Sequence, residues 1–276
     1  MNKIIDGKLI ADNIKQDIKK EIKAIDDQLK LTVIQVGDNP ASNIYVRKKK
    51  ELCEEMGINC DIKKYGTISE QELINEIKRL NNDKEVTSIL VQLPLPENIN
   101  ETNVIEAIDP KKDVDGLTST NLGKMFSKQK GIRPCTALGV IKMLQHENIE
   151  IRGKDVCVVG RSRLVGTPLI ALLLNNDATV TVCHTKTKDL KEKTSKADIL
   201  IVAIGQKEYI TKDMVKEGSV IIDVGINRFE NKLYGDVNFN DVYDKCARIS
   251  PVPKGVGPMT VIMLINNIIE CYKNQK

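Results

Sequence analysis

The sequence has 276 residues, which is long enough for two domains whose cores need neither a disulfide nor a metal to fold. Hydrophobic residues make up 41% and charged residues 29%, the balance of a soluble globular protein. The 42 basic and 38 acidic residues leave a net charge of +4, and aromatic residues are only 3%. This near-even charge and the scarcity of stacking side chains argue against a nucleic-acid-binding protein.

Cysteine and histidine usage argues against a metal centre. The seven cysteines include no C-x-x-C pair, and the only histidines are His146 and His184. No apolar stretch reaches the roughly 18 residues that span a membrane, and the N-terminus lacks a signal-peptide pattern. We therefore expect a cytoplasmic protein with free thiols, no membrane segment and no metal.

The first third of the chain alternates between helix and strand patterns. The apolar spacing predicts helices over residues 10–29, 42–56 and 69–80, and strands over 31–36, 59–64 and 87–93. Gly57 is suited to end the second helix. Ser69 and Glu72 form a capping-box pattern at the start of the third.

Residues 97–134 show little regular pattern, and the alternation then resumes. Helices are predicted over 136–146 and 259–272, and strands over 154–160, 178–183, 198–204, 219–224 and 247–249. This alternation predicts an α/β fold with two lobes and mostly parallel sheets. We assign residues 1–118 and the C-terminal helix, residues 259–276, to one domain, because chain ends often lie close together. Residues 119–258 form the second domain.

A glycine-containing loop follows the predicted strand 154–160. It runs from Gly160 to Gly166 as G-R-S-R-L-V-G, with Ser162 in place of the middle glycine of the G-x-G-x-x-G pattern. In a strand–turn–helix context, Gly160 permits the tight turn and Gly166 the close packing of the helix. The free N–H groups of the helix then face a pyrophosphate. A plain structural turn is the alternative.

The next strand indicates which dinucleotide would bind. NAD enzymes usually carry Asp or Glu about 20 residues after the loop, whereas this strand ends in Cys183-His184-Thr185-Lys186. A hydroxyl, nearby cations and Arg161 in the first turn suit the additional phosphate of NADP. Arg161 as a solvated loop cation, and His184 as an ordinary strand-end residue, are the alternatives.

The helix after Pro40 carries Tyr45 and Lys49 four residues apart and therefore on one face. A phenol beside an amine can orient it and influence its protonation, and lysines change pKa readily when partly buried. Taken alone, the basic run over residues 47–50 favours a solvated face. A nucleic-acid patch is a third possibility, although no aromatic residues are interleaved with it.

Three further segments have the composition of ligand-contact loops. Gln92 lies near the C-terminal end of the predicted strand 87–93, which Pro94-Leu95-Pro96 follows, and open α/β sheets bind ligands at that end. Asp113 and Asp115 lie in a turn, where one carboxylate could hold a polar heterocycle. Residues 251–260 lead into the last helix as P-V-P-K-G-V-G-P-M-T. Each segment alone is equally compatible with a turn.

Together these segments resemble the bacterial bifunctional methylenetetrahydrofolate dehydrogenase/cyclohydrolase family. The matching stretches span nearly the whole chain in the family's order: 37–42, 45–49, 91–96, 112–116, 134–136, 160–166, 183–184, 223–227, 235–237 and 251–260. The resemblance implies a folate-binding catalytic domain, a Rossmann-type NADP-binding domain, and a reaction in the cleft between them. It also implies a homodimer.

The resemblance also implies two reactions of one-carbon metabolism. NADP-dependent oxidation of 5,10-methylenetetrahydrofolate gives the methenyl form, and hydrolysis then gives 10-formyltetrahydrofolate. Lys49 would transfer the proton in the hydrolysis, with Tyr45 packed on the folate and in contact with the lysine. Gln92 would hydrogen-bond Lys49 and help hold it neutral, and Asp115 would bind the pterin edge. Leu93 and Pro258 complete the folate contacts.

For the cofactor, the resemblance implies that Gly160, Arg161 and Ser162 line the phosphates. Thr185 and Arg161 would meet the 2′-phosphate, and Ile226 would border the nicotinamide. Two positions depart from the family: Lys254 replaces a usual glycine, and Thr185 replaces a common serine. A dehydrogenase-only relative and a basic RNA-binding protein remain the rival hypotheses.

Overall fold

A computed structural model describes residues 3–230 and 232–276, apart from the side chain of Ala41. The chain divides into two compact units. The first, here the 15–133 unit, consists of Lys15–Arg133 and Val261–Lys276. The second, here the 134–260 unit, consists of Pro134–Thr260 and the chain up to Ile14. The predicted domain boundary after residue 118 differs from this division, and the functional division of the chain stays a prediction.

The 15–133 unit is built on a three-stranded parallel sheet in the order β2-β1-β3. Its elements are α1 (Gly7–Lys23, which begins in the other unit), β1 (Lys30–Val36), α2 (Pro40–Glu55), β2 (Asn59–Tyr65), α3 (Glu70–Asn82), β3 (Ser88–Val91), α4 (Glu101–Glu106) and α5 (Ser119–Phe126). Apolar residues of β1, β3 and α3 form its core, among them Ile34, Leu73, Ile77, Ile89 and Val91.

The 134–260 unit contains a five-stranded parallel sheet in the order β10-β7-β6-β4-β5 and a separate antiparallel hairpin, β8-β9. Its elements are α6 (Cys135–His146), β4 (Asp155–Val159), α7 (Gly166–Asn175), β5 (Thr179–Cys183), α8 (Leu190–Thr194), β6 (Ile199–Val202), β7 (Val220–Asp223), β8 (Asn227–Phe229), β9 (Lys232–Tyr234), α9 (Phe239–Val242) and β10 (Arg248–Ile249). The last helix, α10 (Val256–Lys273), begins here and continues into the 15–133 unit.

The predicted α/β fold class with parallel sheets is confirmed, and so are two local signals. Ser69 caps α3 through its side chain, and Glu72 returns the bond to the Ser69 N–H, which completes the capping box. Gly57 ends α2 with φ +74°, a conformation that glycine adopts without strain.

The structure differs from the sequence expectations in three places. The first helix ends at Lys23 and not at residue 29. The segment 97–134, which lacks a regular pattern, contains α4 and α5, two helices too short to show periodicity. The β8-β9 hairpin has strands of three residues each and was not predicted. Within residues 3–230 and 232–276, no helix combines the length and apolarity needed to cross a membrane.

Candidate active site

Side chains at the C-terminal end of β1 fix the start of α2. The Asn39 side-chain oxygen accepts the Ser42 N–H at 3.2 Å. Gln35, a buried residue of β1, donates to the Asn43 side chain at 2.6 Å. Pro40 suits the first helical position because it has no N–H to leave unpaired. These contacts tie α2 to the sheet and set the direction of the face that carries Tyr45 and Lys49.

Lys49 contacts the residue that follows β3. Its Nζ donates to Gln92 Oε1 at 3.1 Å, as the family resemblance implies. Gln92 is itself held, because its backbone N–H donates to Ile34 O at 2.8 Å and its Nε2 donates to Leu93 O at 2.7 Å. The amide oxygen therefore faces the lysine.

The other cations of the 47–50 run behave as a solvated face. Arg47 pairs with Glu51 and Lys50 with Glu54, each one helical turn away on α2. Lys48 is exposed, whereas Lys49 is partly buried. The lysine run therefore divides into a surface face and one residue directed at a polar partner.

The backbone register brings Asp115 to the same edge of the sheet as Gln92. Asp113 forms a parallel bridge with Ile89 of β3. The chain turns directly after this bridge, where the Gly116 N–H donates to Asp113 O at 3.1 Å, and Asp115 lies in that turn. Because both segments leave the sheet at its carboxyl edge, Lys49, Gln92 and Asp115 belong to one end of the 15–133 unit.

Three buried polar side chains hold the turn that carries Asp115. Asp113 accepts the Thr118 N–H at 2.8 Å and Asn121 Nδ2 at 3.0 Å, and burial raises its pKa. Lys112 Nζ donates to two carbonyl oxygens at the end of α3, and burial lowers its pKa. Asn267 Nδ2 donates to Val114 O at 2.8 Å. Lys112 and Asn267 had no role in the sequence reasoning, and their partners are distant in sequence.

In the 134–260 unit, two glycines of the predicted phosphate loop are required by close approach. Gly160 has φ +122°, and a Cβ there would lie 2.2 Å from Ala203 O. A Cβ on Gly166 would lie 2.3 Å from Gly160 O. No other residue fits either position without moving backbone. The turn therefore brings bare backbone to the start of α7, the arrangement that admits a pyrophosphate.

The remaining cofactor candidates lie at the ends of two paired strands. Val159 of β4 pairs with Cys183 of β5, and Arg161 and Thr185 each lie two residues beyond this pair. Both side chains are exposed. Ser162 Oγ accepts the Val165 N–H at 3.2 Å and so shapes the loop between Gly160 and Gly166.

Two buried carboxylates organise the loops after β6 and β7, and the sequence reasoning gave neither a role. Asp236 accepts the N–H groups of residues 204, 205 and 206 at 2.7–3.0 Å and Asn227 Nδ2 at 2.9 Å. Asp223 accepts the N–H groups of residues 225, 236 and 237 at 2.9–3.0 Å. Burial and the neighbouring Asp236 raise the pKa of Asp223 to about 7. Gly225 and Gly235 leave room for these carboxylates, since a Cβ on either would collide with one.

Ile226 and Pro258 both belong to the 134–260 unit. The Ile226 side chain is 46% exposed, and its Cδ1 would lie 3.9 Å from a Cβ on Gly257, the residue before Pro258. Pro258 is therefore separated in the domain division from the other folate candidates. Lys254, where the family usually has glycine, has φ +78°, a left-handed conformation that explains the preference for glycine there.

Comparisons with known proteins match both parts of the chain. A model for the catalytic domain of tetrahydrofolate dehydrogenase/cyclohydrolase matches residues 5–115, and one for its NAD(P)-binding domain matches residues 134–276. The chain is 50% identical over 280 residues to bifunctional protein FolD of Agathobacter rectalis, which covers 99% of this chain and 100% of the relative. It is 49% identical to FolD of Halalkalibacterium halodurans, with 98% of each chain covered.

Solved structures give the same answer. The bifunctional FolD enzyme of Campylobacter jejuni superposes with a TM-score of 0.96 at 45% identity, over 99% of both chains. The FolD enzyme of Trypanosoma brucei, solved with NADP and an inhibitor, superposes with a TM-score of 0.94 at 34% identity. That comparison covers 99% of this chain and 97% of the other.

Proposed function

Because the chain belongs to the tetrahydrofolate dehydrogenase/cyclohydrolase family, we propose that Lys49 and Gln92 form the proton-transfer unit of its hydrolytic step. The chain is a bifunctional enzyme that oxidises 5,10-methylenetetrahydrofolate with NADP and hydrolyses the methenyl product. The observation that carries the proposal is the 3.1 Å hydrogen bond from Lys49 Nζ to Gln92 Oε1.

The geometry of the 134–260 unit fits NADP. Gly160 and Gly166 let the backbone of the turn pack closely at the start of α7, and Arg161 and Thr185 would supply a cation and a hydroxyl for the 2′-phosphate. The turn after β5 runs through residues 184–187 without a carboxylate, so nothing there repels that phosphate. When bound, NADP supplies the acceptor for the hydride that leaves the methylene carbon.

In the dehydrogenase step the protein binds and orients the substrate. Asp115 would accept paired N–H donors from the pterin edge, which is the geometry a carboxylate recognises best. Tyr45, Leu93 and Pro258 would supply apolar contact to the folate, and Ile226 would border the nicotinamide. Proximity and orientation can carry most of this step, because no proton needs to move in it.

In the hydrolytic step the protein also moves a proton. Water adds to the methenyl carbon and loses a proton to the Lys49 amine, which gives a neutral hydroxyl adduct. The adduct opens to 10-formyltetrahydrofolate as the leaving nitrogen takes up the proton from Lys49 and the hydroxyl proton is released to solvent, so that one proton is released overall. The Gln92 oxygen fixes the direction of the amine. Asp113, Lys112 and Asn267 act on the same step indirectly, because they hold the turn that carries Asp115.

A coupled assay tests this proposal. Methylenetetrahydrofolate is mixed with enzyme and NADP, or NAD, and the methenyl intermediate is followed as it forms and decays. Lys49→Met should slow its decay by about a hundred- to ten-thousandfold and slow its formation less, so that methenyl product accumulates. Lys48→Met is the matched control, because Lys48 is exposed on another face of α2.

The outcomes separate the candidate functions. If the wild type forms the methenyl intermediate but does not accelerate its hydrolysis, the chain is a dehydrogenase-only relative. If Lys49→Met and Lys48→Met hydrolyse the methenyl intermediate at the same rate, the basic run over residues 47–50 is only a solvated face and Lys49 has no role in the mechanism.

We further propose a cytoplasmic homodimer that does not bind nucleic acid. The resemblance supports the dimer, and the net charge of +4 with 3% aromatic residues supports the lack of nucleic-acid binding. Light scattering at several concentrations checks the first point. Salt-dependent retention of RNA at physiological ionic strength would contradict the second.

A further inference from the structure

Two cysteines lie in contact at the outer edge of the 15–133 sheet. All seven cysteines of the chain are free thiols, and Cys60 is the one that is not buried. Cys60 is the second residue of β2, the edge strand, and Cys53 is buried in the last turn of α2. The Cys53 and Cys60 side chains interact directly with each other.

The chain between them is a short, well-ordered turn. The Ile58 N–H donates to Cys53 O at 2.9 Å, and the Asn59 N–H donates to Leu29 O at 2.9 Å. Gly57 adopts a left-handed conformation between these two bonds. This turn reverses the chain tightly and brings the two thiols together without a long loop.

Cys60 also opens into a pocket of about 480 Å³. Lys30 and Lys50 supply positive charge to the lining, and Glu54 and Asp61 supply negative charge. A pocket with both signs of charge suits a small zwitterion that carries carboxylate and ammonium groups. A small reagent can therefore reach Cys60 but not Cys53.

The two thiols differ in reactivity in the direction that a two-step exchange needs. Contact with Cys53 lowers the pKa of Cys60, with help from the Lys50 charge and against the effect of burial. Contact with Cys60 and burial raise the pKa of Cys53. The accessible thiol is thus the better nucleophile of the two.

From this geometry we infer that Cys60 and Cys53 form a thiol–disulfide exchange site for low-molecular-weight disulfides such as glutathione disulfide. The Cys60 thiolate attacks one sulfur of the reagent, forms a mixed disulfide and expels one thiolate, which takes up the proton that Cys60 released. Cys53 then attacks the Cys60 sulfur and expels the second small thiolate, which takes up the proton of Cys53. The reagent is reduced to two thiols, and the protein gains one internal disulfide.

The site is coupled to the proposed active site through α2. Cys53 is one helical turn after Lys49 on α2, so the two side chains lie on the same face of the helix. A Cys53–Cys60 disulfide would hold the end of this turn against β2 and change the environment of the amine. This consequence for activity rests on the proposed function, whereas the exchange chemistry does not.

Mass spectrometry after thiol alkylation tests the exchange. The full-length protein is equilibrated with mixtures of glutathione and glutathione disulfide, quenched, alkylated and mapped by peptide. We expect loss of two alkylatable thiols, Cys53 and Cys60. Cys157 and Cys183 are the internal control: their sulfurs are 3.7 Å apart, but both residues are buried and should stay alkylatable after unfolding.

Two variants separate the steps. Cys60→Ser, at a partly exposed position, should abolish both the mixed and the internal disulfide, and Cys53→Ala should retain glutathione on Cys60. Retention of all seven thiols in the wild type under oxidising mixtures would overturn the inference. A mixed disulfide that persists on Cys60 beside a free Cys53 would overturn it as well. Should Cys53→Ala not fold, the wild-type map and Cys60→Ser decide the question alone.

Activity is measured on the same samples. The oxidised wild type should lose more cyclohydrolase than dehydrogenase activity and regain both on reduction, whereas Cys60→Ser should keep its basal activity throughout. An enzyme that forms the disulfide but has no cyclohydrolase activity when reduced would contradict the proposed function and leave the exchange site established.

Discussion

Replacing Asp236 by asparagine should strongly destabilise the 134–260 unit. Asp236 is fully buried, and each of its carboxylate oxygens accepts two N–H groups. One oxygen receives those of Ile204 and Gly205 at 2.7 and 3.0 Å, and the other those of Gln206 and Asn227 at 2.8 and 2.9 Å. An asparagine amide can serve only one of these pairs, whichever way it is turned.

The size of the effect follows from that count. The amide NH₂ would face two N–H donors, and each buried donor left without an acceptor costs roughly 1–3 kcal/mol. One of the four donors, the Asn227 side-chain amide, can turn its own oxygen toward the NH₂, so one or two donors are left unpaired. The free energy of unfolding should therefore fall by roughly 1–6 kcal/mol. At about 2–4 °C for each kcal/mol in a domain of this size, the melting temperature should fall on the order of 10 °C.

The assay is thermal unfolding of the wild type and variant, with NADP affinity measured by titration. Glu217→Gln, an exposed carboxylate in the same unit, is the control and should change neither quantity. NADP should bind Asp236→Asn more weakly, because the loop after β6 loses its anchor. A melting temperature within about 2 °C of the wild type would refute the reasoning, since the loss of stability would then be smaller than the cost of one unpaired buried donor.

Three further predictions concern cofactor, folate and proton binding. Arg161→Ala should lower the affinity for NADP by about ten- to a hundredfold and leave the affinity for NAD nearly unchanged, because a charge-assisted contact contributes roughly 1.5–3 kcal/mol. Equal losses of affinity for both cofactors would show that Arg161 does not contact the 2′-phosphate. Asp115→Asn should damage both activities together, measured as the KM for folate in each assay; normal values in both would remove Asp115 from the pterin site. Asp223 has its pKa raised to about 7 from 3.8, so its contribution to stability is complete below about pH 4 and is lost as the pH rises through 7. The wild type should accordingly lose on the order of 4 kcal/mol relative to Asp223→Asn between those pH values, and pH-independent melting differences between the two proteins would contradict this.

The sequence predicted those features that depend on neighbours in the chain. The capping box of α3, the turn at Gly57 and the two glycines of the phosphate loop each follow from a local backbone requirement. The parallel arrangement followed from the alternation of helices and strands over most of the chain. Where the local pattern was short, as in α4, α5 and the β8-β9 hairpin, it was too weak to predict an element.

The supports of the site depend on contacts between distant residues and could not be predicted in this way. Asn267 reaches Val114 across 153 positions, and Asp236 reaches Ile204 across 32. The Lys49–Gln92 bond, 43 positions apart, was expected from the family resemblance and not from spacing. A buried carboxylate next to glycine, as at Gly235-Asp236, is the one local signal that could have drawn attention to the loops after β6 and β7.

The central claim is that Lys49 and Gln92 act as one unit in the hydrolytic step, and a double-mutant cycle tests it most directly. Cyclohydrolase and dehydrogenase rates are measured for Lys49→Met, Gln92→Leu and the double variant, with methenyltetrahydrofolate and methylenetetrahydrofolate as substrates. We predict that the double variant hydrolyses the methenyl substrate no more slowly than Lys49→Met alone, because Gln92 acts through the lysine. Cyclohydrolase losses that multiply in the double variant would show that the two residues act independently and would contradict the account.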